Sequence, residues 1–135
     1  MKSHYRVVVI GGGVVGASVI YHLAKFGWSD VCMLERSVLT AGSSWHAAGG
    51  IHALNADPNI SALQAYTIDL LQEIEAESGQ DIGLHMTGGL TMAGTPDRWE
   101  WLQSAYRVYQ SIGISDCRLV TPEEARELNP IMSTD

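Results

Sequence analysis

The chain has 135 residues, 46% of them hydrophobic and 17% charged, with 14 glycines and 4 prolines. That is the size of one modest domain, and the balance excludes both a disordered segment and a collagen-like repeat. Eight Lys and Arg against fifteen Asp and Glu leave a net charge of -7, which argues against a nucleic-acid binder that relies on phosphate contacts and against an anionic membrane surface as partner.

The charge is unevenly placed. Residues 1–67 carry four basic residues (Lys2, Arg6, Lys25, Arg36) and three acidic ones (Asp30, Glu35, Asp57), whereas residues 68–135 carry four basic and twelve acidic. A ligand that is itself negative therefore belongs on the first, glycine-rich half, and the second half has the look of solvated helices. Cys32 and Cys117 stand apart with no CxxC or His spacing, so two reduced, buried thiols are expected rather than a disulfide or a zinc site.

Residues 5–10 read as a strand. Their VVVI run is β-branched and has no polar alternation, the pattern of a strand buried on both faces of a parallel sheet. Over 14–26 the apolar residues Val15, Val19, Ile20, Leu23 and Phe26 recur at helical spacing, and Gly27 stands where a C-terminal cap belongs. A second short strand over 31–34 ends at Glu35. Strand, glycine turn, helix and strand make a βαβ unit, whose two strands pair in parallel.

From 39 to 57 the residues turn small and polar, which predicts a loop. Pro58 opens a helix with an apolar stripe of Leu63, Tyr66, Leu70, Leu71 and Ile74 that stops at Gly79. Residues 82–93 show little helical periodicity and several β-formers, predicting a strand or hairpin. Thr95-Pro96 starts a helix carrying Trp99, Trp101, Tyr106 and Tyr109, aromatics expected in a core or a domain contact. A brief strand over 118–120 precedes Thr121-Pro122-Glu123-Glu124, the spacing of a capping box. No apolar run approaches the roughly 20 residues of a bilayer span, and the apolar segment after MKSHYR is too short for a secretory signal.

The chemistry concentrates in two places. Gly11-x-Gly13-x-x-Gly16 lies between a predicted strand and a predicted helix, and Glu35 follows nineteen residues after the last glycine, which is the dinucleotide fingerprint in its required setting. Gly11 permits the tight turn, Gly13 lets the backbone approach a pyrophosphate, and Gly16 allows helix to pack on strand. The amides near Val14 and Val15 then favour the phosphates, with the helix dipole behind them. Glu35 accepts from both ribose hydroxyls and repels a 2'-phosphate, so NADP is the least suitable dinucleotide. The fingerprint by itself leaves FAD and NAD open.

The second place is Arg36 and the run Gly42-Ser43-Ser44-Trp45-His46-Ala47-Ala48-Gly49-Gly50, which offers hydroxyls, amides and one imidazole on a close-approaching chain. Trp45 is expected to pack, His52 to be a polar loop residue, and Glu73, Glu75 and Glu77 to lie on a solvated helix surface.

Here the chain resembles the dimethylglycine and sarcosine dehydrogenases of the D-amino-acid-oxidase-like flavoproteins. The matching text is VVVIGGGVVGASVIYHLAKFGW, then MLERSVLTAGSSWHAAGG, then the weaker GLHMTGGLTMAGTPDR and TPEEARELNP, with SSWHAAG the most specific part. The resemblance implies a Rossmann-type α/β unit for FAD over 1–57 and the start of an α+β substrate domain over 58–135. It implies FAD linked through the flavin's 8-methyl group to His46, a neutral imidazole nitrogen being a competent nucleophile near pH 7. It further implies oxidation of the N-methyl C-N bond of a methylated glycine, with oxygen or an electron-transfer flavoprotein as acceptor and tetrahydrofolate as a partner of a later region. The compartment would be the cytoplasm in a bacterium or the mitochondrial matrix in a eukaryote. The substrate-side catalytic residues lie later in such enzymes, so a polypeptide ending at Asp135 is expected to be an N-terminal part without turnover. A non-covalent flavin enzyme and an NAD-linked dehydrogenase are the alternatives.

Overall fold

The computed structural model describes residues 2–133, which fall into two compact units divided between Gly50 and Ile51. The first unit is the expected strand-helix-strand. Its elements are β1 (Val7–Ile10), α1 (Val14–Lys25) and β2 (Val31–Leu34). The strands pair in parallel with Val7 opposite Val31 and Ile10 opposite Leu34, and α1 packs on both. The helix ends in a Schellman arrangement: Gly27 N-H donates to the Ala24 carbonyl at 2.8 Å and Trp28 N-H to the Leu23 carbonyl at 2.9 Å. Gly27 takes φ +83° there, a conformation that favours glycine at this position.

Two corrections concern burial. Among the described residues the sheet holds β1 and β2 and one helix covers it, so Val7 and Val9 are half-buried while Val8 and Ile10 are 45% and 86% exposed. The both-faces-buried expectation for β1 fails because a strand gains a second covered face only from a second layer. In α1, Gly16, Ile20 and Leu23 form the covered stripe, whereas Val15, Val19 and Phe26 are exposed. The covered set begins at a glycine, which apolar periodicity does not count.

The second unit contains α2 (Pro58–Ser78), α3 (Pro96–Ser111) and α4 (Pro122–Leu128). Each starts the same way, with a proline in its first turn and a side-chain cap before it. Asp57 Oδ1 accepts from Asn59 N at 2.8 Å and from Ile60 N at 3.0 Å. Thr95 Oγ1 accepts from Arg98 N at 3.3 Å. Thr121 and Glu124 close the predicted capping box, at 3.2 Å and 2.8 Å. Capping oxygens and proline together deal with amides that have no partner inside the helix. Residues 51–57 are tied to α2, since Ser61 Oγ donates to the Ala53 carbonyl at 2.7 Å.

The strands expected over 82–93 and 118–120 do not form. A strand needs a ladder partner, and none is present among the described residues; in the first segment Gly83 and Gly88 also take φ +69° and +70°, which breaks extended backbone. The α2 stripe is covered only in its second half: Leu70 is buried and Leu71 and Ile74 half-buried, while Leu63 and Tyr66 are 60% and 45% exposed. Trp99 and Trp101 are exposed rather than core, and the Arg98 guanidinium lies 4.6 Å from the Trp101 ring centroid, a cation-π contact suited to the surface. Both cysteines are free and half-buried. No described helix is long and apolar enough to cross a membrane.

Candidate cofactor-binding site

The carboxyl ends of β1 and β2 run directly into the two segments singled out from sequence. After β1, Gly11 turns the chain at φ +105° while its N-H donates to the Leu34 carbonyl at 2.8 Å. Gly16, on the first turn of α1, lies so close to this bend that a Cβ there would overlap the Gly11 carbonyl oxygen. The helix therefore starts against the turn, and its first-turn amides on Val14, Val15 and Gly16 have no partner four residues back.

Glu35 leaves the end of β2 and reaches across to that turn. Its Oε2 accepts the Gly12 N-H at 2.7 Å and its Oε1 the Ser37 N-H at 2.9 Å. These two donors hold the carboxyl below the usual carboxylate value, the Gly12 bond most; a hydrogen bond from the Arg36 backbone and the Arg36 charge add to it, and desolvation opposes it. Gly12 is buried, and a Cβ on it would come within 2.6 Å of Leu39 Cδ2 and 3.3 Å of Glu35 Oε2. The fingerprint leaves position 12 open to any residue, so the need for glycine here escapes a motif reading; the three consecutive glycines are its visible trace.

Residues 39–46 form a run of turns over the glycine bend. Thr40 N-H donates to the Gly12 carbonyl at 2.9 Å, and Trp45 N-H to the Thr40 carbonyl at 3.1 Å. Thr40 takes φ +67°, the one non-glycine residue at positive φ among those described, and for a β-branched residue that is a true outlier. Nothing in a sequence flags such a threonine. Ser44 Oγ accepts the Val14 N-H at 2.8 Å. His46 Nδ1 lies 3.0 Å from the Gly42 carbonyl, and since a carbonyl only accepts, the bond requires hydrogen on Nδ1 and leaves the Nε2 lone pair free.

Gly11, Gly13, Val14, Gly16, Glu35, Gly42, Ser44 and His46 are thus brought into one region. A cavity of about 530 Å³ opens there, lined by Gly13, Glu35, Arg36, Ser37, Ala41 and Gly42, within the range of small-molecule and cofactor sites. Ser43 contributes its carbonyl to His46 N-H at 3.1 Å. Ala47, Ala48, Gly49 and Gly50 are exposed and do not line the cavity. Trp45 is 75% exposed, contrary to the packing expected, because it sits in a turn outside the covered face of the sheet. A smaller depression of about 210 Å³, lined by Arg6 and residues 26–30, lies at the amino ends of the strands, whereas ligands of open α/β sheets bind at the carboxyl ends. No group of three metal-ligating side chains occurs among the described residues.

Residues 6–135 match the family model described as FAD dependent oxidoreductase. The chain belongs to this family. It is 38% identical over 135 residues to the mitochondrial dimethylglycine dehydrogenase of Rattus norvegicus, across 99% of this chain and 16% of that protein. To the mitochondrial sarcosine dehydrogenase of Homo sapiens it is 35% identical over 136 residues, across 100% of this chain and 15% of that protein. Its fold matches the crystal structure of L-proline dehydrogenase from P. horikoshii with a TM-score of 0.85 and 26% identity, over 96% of this chain and 34% of that one. The chain therefore spans about a sixth of the length of the curated relatives it matches. As a member of an FAD family, its fingerprint is read for a flavin dinucleotide rather than for NAD.

The cradle fits such a group on its own geometry. Gly12 and Gly13 keep the turn free of side chains, the amides of Val15 and Gly16 at the start of α1 suit an anion, and Glu35 stands at the end of β2 where a ribose is held in this fold type.

Proposed function

We propose that this chain binds FAD at the carboxyl ends of β1 and β2, that His46 carries it covalently, and that the protein oxidises the N-methyl C-N bond of dimethylglycine or sarcosine. The observation that carries the covalent reading is the His46-Gly42 contact: with Nδ1 engaged at 3.0 Å, the exposed ring offers Nε2 as its nucleophile. The bond would join Nε2 to the flavin's 8-methyl carbon with loss of one hydrogen from that carbon and one from the imidazole, a two-electron oxidation for which dioxygen would be the acceptor, leaving as hydrogen peroxide.

Each residue has a part. Val15 and Gly16 present amides to the pyrophosphate, Val14 N-H reaches it together with the Ser44 hydroxyl it is bonded to, Ser43 adds a second hydroxyl, and Gly13 lets the backbone approach. Glu35 takes the ribose hydroxyls, and Arg36 offsets its charge. FAD held here would supply the two-electron acceptor for oxidising the substrate's N-methyl C-N bond, the oxidised carbon then being released as formaldehyde by water or taken up by tetrahydrofolate. The similarity to dimethylglycine and sarcosine dehydrogenases over nearly the whole chain supports that substrate class. No residue of these 135 is assigned as a substrate-side catalytic group or to tetrahydrofolate or the acceptor, oxygen or an electron-transfer flavoprotein; the chain carries the cofactor-recognition determinants and is expected to lack turnover.

Two measurements test the reading. FAD added to the purified chain should lose fluorescence on binding, and a longer parent polypeptide should bleach its flavin absorbance when given dimethylglycine or sarcosine without an acceptor. A parent that binds no flavin, or that passes hydride only from NADH, contradicts it.

A further inference from the structure

Ser44 joins the attachment loop to the phosphate end of α1. Its Oγ accepts the Val14 N-H at 2.8 Å, and glycine at position 13 leaves it room, since a Cβ there would come within 3.1 Å of that oxygen. The other tie is Thr40 N-H to the Gly12 carbonyl at 2.9 Å. Beyond these two points the turn continues to His46, whose N-H donates to the Ser43 carbonyl at 3.1 Å. His46 is exposed, so no packing holds it, and its direction depends on the turn that carries it.

Resting on the covalent reading above, we propose that Ser44 is a positioning residue for flavin attachment. Its hydroxyl holds the 40–46 turn in register with the α1 N-terminus, so that filling the phosphate cradle and presenting His46 Nε2 are one event. With Ser44 removed, the turn keeps a single tie at Thr40, whose positive φ is itself unfavourable, and His46 samples orientations that do not lead to bond formation. A hydroxyl both accepts and donates. The same Oγ that accepts from Val14 in the free chain is able to donate to an anion seated on that amide, which keeps the tie when the cradle fills.

The experiment compares the purified wild-type parent polypeptide with its Ser44→Ala, Ser44→Thr, Ser44→Cys and His46→Ala variants. Non-covalent binding is read from quenching of FAD fluorescence. Attachment is read from the time course of acid-stable flavin at saturating FAD. At saturation, Ser44→Ala should attach about three- to tenfold more slowly, the range one neutral hydrogen bond supports. Ser44→Thr should restore the rate, and Ser44→Cys, which keeps the shape with a weaker acceptor, should fall between; it stands in for Ser44→Ala if that variant does not fold. In the flavin-free chain, ¹⁵N NMR of the His46 ring should show a smaller Nδ1-H population in Ser44→Ala than in wild type. Attachment by Ser44→Ala at the wild-type rate, with an unchanged His46 ring spectrum, overturns the proposal. A wild-type chain that quenches FAD yet never yields acid-stable flavin overturns the covalent reading instead, and the positioning role falls with it.

Discussion

Glu35 Oε2 accepts the Gly12 backbone N-H at 2.7 Å, so the end of β2 and the glycine turn after β1 are fastened to each other through one carboxylate. A second bond, Ser37 N-H to Oε1 at 2.9 Å, fixes the carboxylate's other oxygen. The acid that a dinucleotide fingerprint assigns to a ribose is also part of the cradle's own architecture.

This contact sets a pH dependence. The Gly12 donor first, then Ser37, lowers the Glu35 pKa below its ordinary value of 4.5. Because the folded chain binds this proton less well than the unfolded chain, the stabilisation is fully present above the ordinary value and is lost as pH falls through the lowered one. Thermal melts of wild type and Glu35→Gln should therefore differ most near neutrality and converge as pH falls below the ordinary carboxylate range. FAD binding should weaken in Glu35→Gln near neutrality.

Gly16 is the position where a single methyl does most harm. Its Cβ would run into the backbone oxygen of Gly11, which cannot swing aside as a side-chain tip does. Gly16→Ala is expected to cost about 1–3 kcal/mol or more and to weaken FAD binding by shifting α1 off the turn. Gly42→Ala, with nothing within 4 Å of the added carbon, is the matched control. Urea unfolding curves for both variants read the difference.

Much of this was legible beforehand, and the limits have physical causes. The βαβ order, Gly27 as cap and the Thr121-Glu124 box all rest on local chemistry, which a sequence displays. The covered stripe of α1, the openness of Val8 and Ile10, and the missing strands over 82–93 and 118–120 depend on which partners a surface finds, and periodicity carries no such information. In the site, Gly11, Gly13, Gly16 and Glu35 follow from spacing. Gly12 and Thr40 do not, since one stands at a free position of the motif and the other adopts a backbone conformation its residue type disfavours.

The second unit offers a simpler test. Asp57 caps two amides of α2 with one oxygen, and α2 packs on neither α3 nor α4, so its start depends heavily on local bonds. Asp57→Ala should cost about 1 kcal/mol and Asp57→Ser or Asp57→Asn much less. Amide exchange at Asn59 and Ile60 should rise in the alanine variant while that at the centre of α2 stays near the wild-type rate.

His46 is the residue proposed to carry the flavin. The most direct test is mass spectrometry of peptides from wild-type holoprotein denatured in acid and digested with protease. The peptide containing His46 should bear the added mass of FAD, with fragmentation placing it on the imidazole, and His46→Ala should release all its flavin to the acid supernatant. An unmodified His46 peptide in flavin-loaded protein, or acid-stable flavin persisting in His46→Ala, would contradict the account.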